Sequence, residues 1–237
     1  MNRHDLGLGL KFLLLLPLLL AFNGHAWAKP NLEDCLRLTE GNGASIAADV
    51  IRVVDGDTIK VGISGGQLSV RMLSIDTPET NFQGKNQGAW AMKASAFLAR
   101  QVAAGDEVEI EFEGDRCDKF GRILGHVHYD GVHLNRLMVE QGYAVNYCIY
   151  PNFRYCADFG ALVARNIQAR RGMFSDPSVE IPYVWRRTIS HQPWDKFTGN
   201  IESKEVFAKD EMSRVPVAWR VFFYNEEDIL PPYELVD

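Results

Sequence analysis

Between residues 54 and 79 a mostly apolar stretch carries Val54-Asp55-Gly56-Asp57-Thr58 and then Arg71-Met72-Leu73-Ser74-Ile75-Asp76-Thr77-Pro78-Glu79. Three aspartates, an arginine and a glutamate within one short hairpin are costly to bury unless a cation or a charged ligand compensates them. The fold must therefore gather them where a counter-charge can reach. Carboxylates beside a backbone carbonyl suit a hard cation such as calcium, and a guanidinium next to them suits a phosphate. The residue types point to metal-assisted phosphodiester chemistry.

Local geometry predicts convergence. A turn at Ser64-Gly65-Gly66 pairs the segment from Asp57 to Ile63 with that from Gln67 to Ile75, which sets Asp57 opposite about Ser74 and brings Asp55, Asp57 and Asp76 to one end. In an extended strand Asp55 and Asp57 share a face. Pro78 has no amide hydrogen and biases Thr77 toward extended backbone, which frees the Thr77 carbonyl as a metal ligand. Arg71 and Asp76 are five residues apart, so a regular strand would send them to opposite faces. A bulge or strong twist is expected between them.

With Asp118-Lys119-Phe120-Gly121-Arg122, and Leu134-Asn135 running to Gly142-Tyr143-Ala144, these motifs lie in order and with consistent spacing over residues 47 to 175. In that pattern the chain resembles the staphylococcal nuclease (thermonuclease) family. A lone Asp-Gly-Asp-Thr would more often be a turn; several motifs in register are far more specific. The resemblance implies a calcium-dependent endonuclease that hydrolyses DNA and RNA with little sequence demand and leaves 3′-phosphate ends. It implies that Asp57, Asp76 and the Thr77 carbonyl hold Ca2+ with Asp55 close by, that Glu79 is the general base, and that Arg71 and Arg122 hold the scissile phosphate. Tyr147 and Tyr150 match two tyrosines that contact the nucleotide, although the interval from Gly142 to Pro151 is one residue short of the family pattern, and Lys119 is placed with them on the substrate side. Phe120 stands where the family commonly has tyrosine. Guanidinium forks and a dication suit the charge that gathers on phosphoryl oxygens at the transition state.

The bland alternatives are a structural calcium site or a solvated rim for the carboxylates, a surface strand position for Arg122, and core or rim packing for Tyr147 and Tyr150. His126 and His128 share a strand face, but without a third ligand they read as ordinary strand residues. The rival function is a non-catalytic module of the same fold that binds oligonucleotides or a protein partner.

Residues 1 to 28 read as a cleaved secretory signal: Arg3 and Lys11, an apolar run from Phe12 to Phe22, then Ala26-Trp27-Ala28. The run is short for a membrane span, so a periplasmic or secreted protein without a stable membrane anchor is expected, as a monomer. All 4 cysteines lie beyond this segment, which suggests two disulfides; Cys148 with Cys156 and Cys35 with Cys117 are favoured over a four-cysteine zinc site because no Cys-x-x-Cys pair exists. The formal net charge of −6 opposes a polyanionic substrate. However, residues 115 to 175 hold 8 basic against 5 acidic side chains, among them Arg116, Lys119, Arg122, Arg136 and Arg154, and local charge governs phosphate contact.

The expected fold is α+β, mainly β: a five-stranded oligonucleotide-binding (OB-fold) barrel with about three helices. Strands are predicted near 49–54, 57–63, 67–75, 106–113 and 122–129. Helices are predicted near 87–103, 134–141 and 157–171, the last burying Phe159, Leu162, Val163 and Ile167. The organisation predicted is a signal (1–28), an N-terminal extension (29–46), a nuclease domain (47–175) and a C-terminal appendage (176–237). Trp185, Trp194, Trp219 and Val221 to Tyr224 make the appendage too apolar for a disordered tail. It reads as scaffold packed on the barrel, with a strand near 217–224, in preference to a separate partner-binding unit.

Overall fold

The computed structural model describes residues 31–236; the proposed signal segment lies outside them. Helix α1 (Leu32–Thr39) opens with an Asn31 capping box in which Asn31 and Asp34 exchange side-chain-to-backbone bonds. The barrel follows as β1 (Ser45–Val53), β2 (Thr58–Ile63) and β3 (Gly66–Met72), then a two-residue β4 (Ile75–Asp76), helix α2 (Ala89–Gln101), β5 (Glu107–Glu111) and β6 (Ile123–Tyr129). A short β7 (Val132–His133) leads into α3 (Leu134–Glu140), β8 (Val145–Asn146), β9 (Cys148–Ile149) and α4 (Cys156–Ala169).

Strand order β3-β2-β1-β5-β6 closes through a parallel β3–β6 pairing, Val70 opposite Ile123, into a five-stranded barrel. This is the OB-fold architecture. Closure leaves no free edge, and alternation does the rest. In β3, Leu68, Val70 and Met72 are buried inside while Gln67, Ser69 and Arg71 lie outside. Ile59, Val61, Ile110, Ile123 and Val127 complete the barrel core, and α2 adds Leu98, α3 adds Leu134 and Met138, α4 adds Phe159 and Val163. Truncating one of these to alanine would cost about 2–5 kcal/mol. Ile167, expected inside, is exposed on α4.

The β2–β3 turn holds Ile63 opposite Gly66 and Thr58 opposite Arg71. Asp57 therefore faces Met72, whose amide donates to the Asp57 carbonyl at 2.9 Å, two residues short of the expected register. Asp55, Gly56 and Asp57 are not extended either. They form the loop between β1 and β2, closed by the Val54 amide on the Thr58 carbonyl (2.9 Å) and by the Asp57 amide on the Asp55 carboxylate (3.1 Å). The expected irregularity between Arg71 and Asp76 takes the form of a strand break: Ser74 has φ +62°, and Ile75-Asp76 leaves the barrel to pair with β8.

Beyond α4 the chain forms α5 (Pro182–Ser190), β10 (Phe197–Asn200), β11 (Glu205–Phe207), β12 (Arg220–Phe223) and β13 (Glu234–Leu235). Strand β12 pairs in parallel with β9, Val221 opposite Cys148 and Phe222 opposite Ile149. Gly160 lets α4 approach this segment closely: a Cβ there would lie 2.5 Å from the Ala218 carbonyl oxygen. A small second core, Cys148, Cys156, Ile201, Val206, Val221, Phe223 and Tyr233, fills the junction. Both disulfides form, Cys35–Cys117 and Cys148–Cys156, which excludes the zinc alternative. No helix among the described residues is long and apolar enough to cross a membrane.

Candidate active site

Outside the barrel, at the end of β3, the strand break turns Asp76 back beside Arg71. Arg71 donates from Nη2 to Asp76 Oδ1 (3.0 Å), pairs through Nη1 with Asp57 Oδ1 (3.3 Å), and anchors Nη1 on the Met72 carbonyl (2.8 Å). Asp57 Oδ2 accepts from the Thr77 amide (2.8 Å) and hydroxyl (3.0 Å). Gly56 is required here because a Cβ would stand 2.7 Å from Thr77 Oγ1 and 2.8 Å from Ala94 Cβ. Glu79 is set by two bonds with Gln87: its amide donates to Gln87 Oε1 (3.1 Å) and its carbonyl accepts from the Gln87 amide (2.8 Å).

The structure thus gathers Asp55, Asp57, Arg71, Asp76, Thr77 and Glu79. Burial, aided by the Asp57 charge, pushes the Asp55 carboxyl up to about 7. Burial also raises Asp76 and Glu79, with the neighbouring Arg186 pulling both back toward ionisation. The donors are all oxygens and match a hard cation. They are not a ready cage: among the described residues no three His, Cys, Asp or Glu side chains are arranged to hold a metal.

Arg186 stands among these carboxylates, and sequence reasoning missed it. From α5 it donates Nη1 to Asp76 Oδ1 (2.9 Å), Nη2 to Asp76 Oδ2 (2.9 Å), and Nη1 also to Glu79 Oε1 (2.6 Å). Asp76 is fully buried between two guanidiniums. Burial alone would lower the Arg186 pKa, but Asp76 holds it well above the ordinary arginine value. Helix α5 is seated for this: Tyr183, three residues earlier and on the same face, stacks on Tyr147 (5.0 Å between rings), Trp185 meets Phe82 edge-on, and Gln87 Nε2 reaches the Glu180 carbonyl at 2.6 Å. Pro182 at the first helical turn marked the helix start in sequence, but nothing local said where it docks.

The other expected site residues lie differently. Arg122 Nε is held by Asp118 Oδ2 at 2.7 Å, and its guanidinium lies near the exposed Phe120 ring, not in the carboxylate cluster. Lys119 is exposed beside Phe120 and the α1 groove. Tyr150 packs on Phe153 and Phe223 in the second core. Tyr147 borders the site, stacked on Tyr183 with Arg186 5.7 Å from its ring centre. His126 and His128 bond Glu113 and Glu111 on another part of the barrel.

Residues 69–176 match the family model described as staphylococcal nuclease homologue. The chain is 33% identical over 144 residues to an uncharacterized endonuclease of Escherichia coli, covering 60% of this chain and 86% of that protein. It is 30% identical over 216 residues to endonuclease YhcR of Bacillus subtilis, covering 84% of this chain and 18% of YhcR. It is 40% identical over 110 residues to the SPbeta prophage-derived endonuclease YokF of the same species, covering 46% of this chain and 37% of YokF. The chain belongs to the staphylococcal nuclease family. It spans less than two thirds of the length of YhcR and of YokF, and Arg186 lies beyond the residues the family model matches.

Proposed function

We propose that the protein is an exported, calcium-dependent endonuclease that hydrolyses DNA and RNA with low sequence specificity and leaves 3′-phosphate ends. The observation that carries this reading is the convergence of Asp57, Arg71, Asp76 and Glu79 on the outer face of an OB-fold barrel. Relatives whose names describe endonucleases support it. In this reading Asp57, Asp76 and the Thr77 carbonyl would hold calcium, with Asp55 beside them. The ion would supply positive charge at the phosphoryl oxygens when bound.

Arg71 binds and orients the phosphodiester with its fork. Glu79, its pKa raised above the ordinary glutamate value by burial, takes a proton from the attacking water as the new P–O bond forms. The P–O5′ bond breaks, the 5′ oxygen gains a proton, and the phosphate stays on the 3′ end. Fixed charges aimed where charge develops are the main source of rate in such a site.

The test is digestion of single-stranded DNA and RNA by the oxidised protein lacking residues 1–28, with calcium or with a chelator, beside Glu79→Gln. Calcium-dependent cleavage that falls by about 10²-fold or more in the variant supports the reading. No cleavage by folded protein with any divalent ion would leave a binding module of the same fold.

A further inference from the structure

Arg186 stands out as a buried cation, delivered from the C-terminal segment, on the two carboxylates that a nuclease site needs free. Apolar contacts already dock α5: Tyr183 on Tyr147 and Phe222, Trp185 on Phe82. A guanidinium is not needed to hold the helix down, and desolvating one is expensive. We propose that Arg186 is a phosphate-binding catalytic arginine of this site, and that its contacts with Asp76 and Glu79 are its resting position. This rests on the nuclease reading above.

Three features of the site support the assignment. First, Arg71 and Arg186 both donate to Asp76 Oδ1, so two guanidinium forks meet at the carboxylate cluster, whereas Arg122 pairs with Asp118. Second, Arg186 shifts the local charge toward an anion: Asp57, Asp76 and Glu79 face one guanidinium without it and two with it. Third, Arg186 is poised to exchange partners. Asp76 keeps Arg71 when Arg186 leaves, the side chain is 19% exposed, and among the described residues three of its five N–H donors are bonded, to Asp76 and Glu79, which leaves two for an incoming oxygen. Asp76 would then be free to hold the cation while the Arg186 guanidinium binds the phosphate.

The proposal makes opposite demands on two measurements. In Arg186→Gln, calcium measured by calorimetry without nucleic acid should bind about tenfold or more tighter, because a competing cation within contact distance of Asp76 is gone. In the same variant kcat for single-stranded DNA should fall about 10²- to 10³-fold. Arg186→Lys should recover only part of that loss, since a point charge replaces a fork. A single cooperative unfolding transition well above the assay temperature in both variants establishes that the fold is retained. A kcat within about threefold of the parent would overturn the proposal and leave Arg186 an anchor; a higher kcat would overturn it in favour of an autoinhibitory plug. Failure of the nuclease reading is seen separately, as an inactive parent. In that case binding of a fluorescein-labelled octathymidylate by fluorescence anisotropy, in the Glu79→Gln background, decides: weakening of about tenfold on adding Arg186→Gln supports phosphate contact, and unchanged affinity overturns it.

Discussion

Asp76→Asn tests the reading of the site as a buried charge network, independent of any activity. Asp76 is fully buried and accepts three guanidinium bonds, one from Arg71 at 3.0 Å and two from Arg186 at 2.9 Å. Removing one partner of a buried ion pair costs about 3–5 kcal/mol, because an uncompensated charge is left behind. Two features put this case at the low end. Arg71 keeps Asp57 and Arg186 keeps Glu79, and burial already works against the Asp76 charge. A loss of about 3 kcal/mol is expected, or roughly 6–12 °C in a chain of this size. The assay is thermal and denaturant unfolding of calcium-free, oxidised protein, repeated with Arg186→Gln and with the double variant. The double variant should lose less than the sum of the singles by about 1.5 kcal/mol or more. A stabilised Asp76→Asn, or singles that add within about 0.5 kcal/mol, would refute the network.

Gly56→Ala should destabilise by about 1–3 kcal/mol and weaken calcium binding by calorimetry, because the new Cβ meets Thr77 Oγ1 at 2.7 Å and displaces the Asp57–Thr77 contact. Replacing Cys35 and Cys117 by serine should cost about 4 kcal/mol in denaturant unfolding, against about 2–3 for the Cys148–Cys156 pair, since the loops closed span 82 and 8 residues. His133 is held down to about 3 by burial and by His126 and His128, and its Nε2 has no partner. An unfolded histidine titrates near 6.5, so this contribution is fully present above about pH 6.5 and is lost as pH falls toward 3. His133→Gln should therefore lose about 1 kcal/mol less than the parent between pH 6.5 and 4.5, after allowance for partial exposure; identical acid limbs would refute this.

The barrel was legible because alternation is a local property. Leu68, Val70 and Met72 against Ser69 and Arg71 fix the faces of β3 wherever its partners lie. Asp57, Arg71, Asp76 and Glu79 were legible for another reason: that many charges in apolar surroundings need a shared purpose. Register was less so. The turn is one residue shorter than expected, with Ile63 opposite Gly66, so Asp57 faces Met72 and not Ser74, and the left-handed Ser74 then turns Asp76 back toward Arg71. Asp55 and Asp57 converge through a loop bond where strand geometry was expected. Arg186 was out of reach because its role depends on docking α5 against residues more than a hundred positions earlier. A charge on an amphipathic helix usually meets water, and local sequence cannot say otherwise.

The parallel pairing of β12 with β9 bears on when the molecule becomes complete. Residues 221 and 222 must find residues 148 and 149 across the whole of α4 and α5, and such distant pairing forms late. The arginine on Asp76 and Glu79 stands on α5, whose Tyr183 meets Phe222 of that strand edge-on. A chain still emerging, or one clipped between α4 and α5, would carry four crowded carboxylates and a single arginine, so completion of the site is tied to the segment that follows α4.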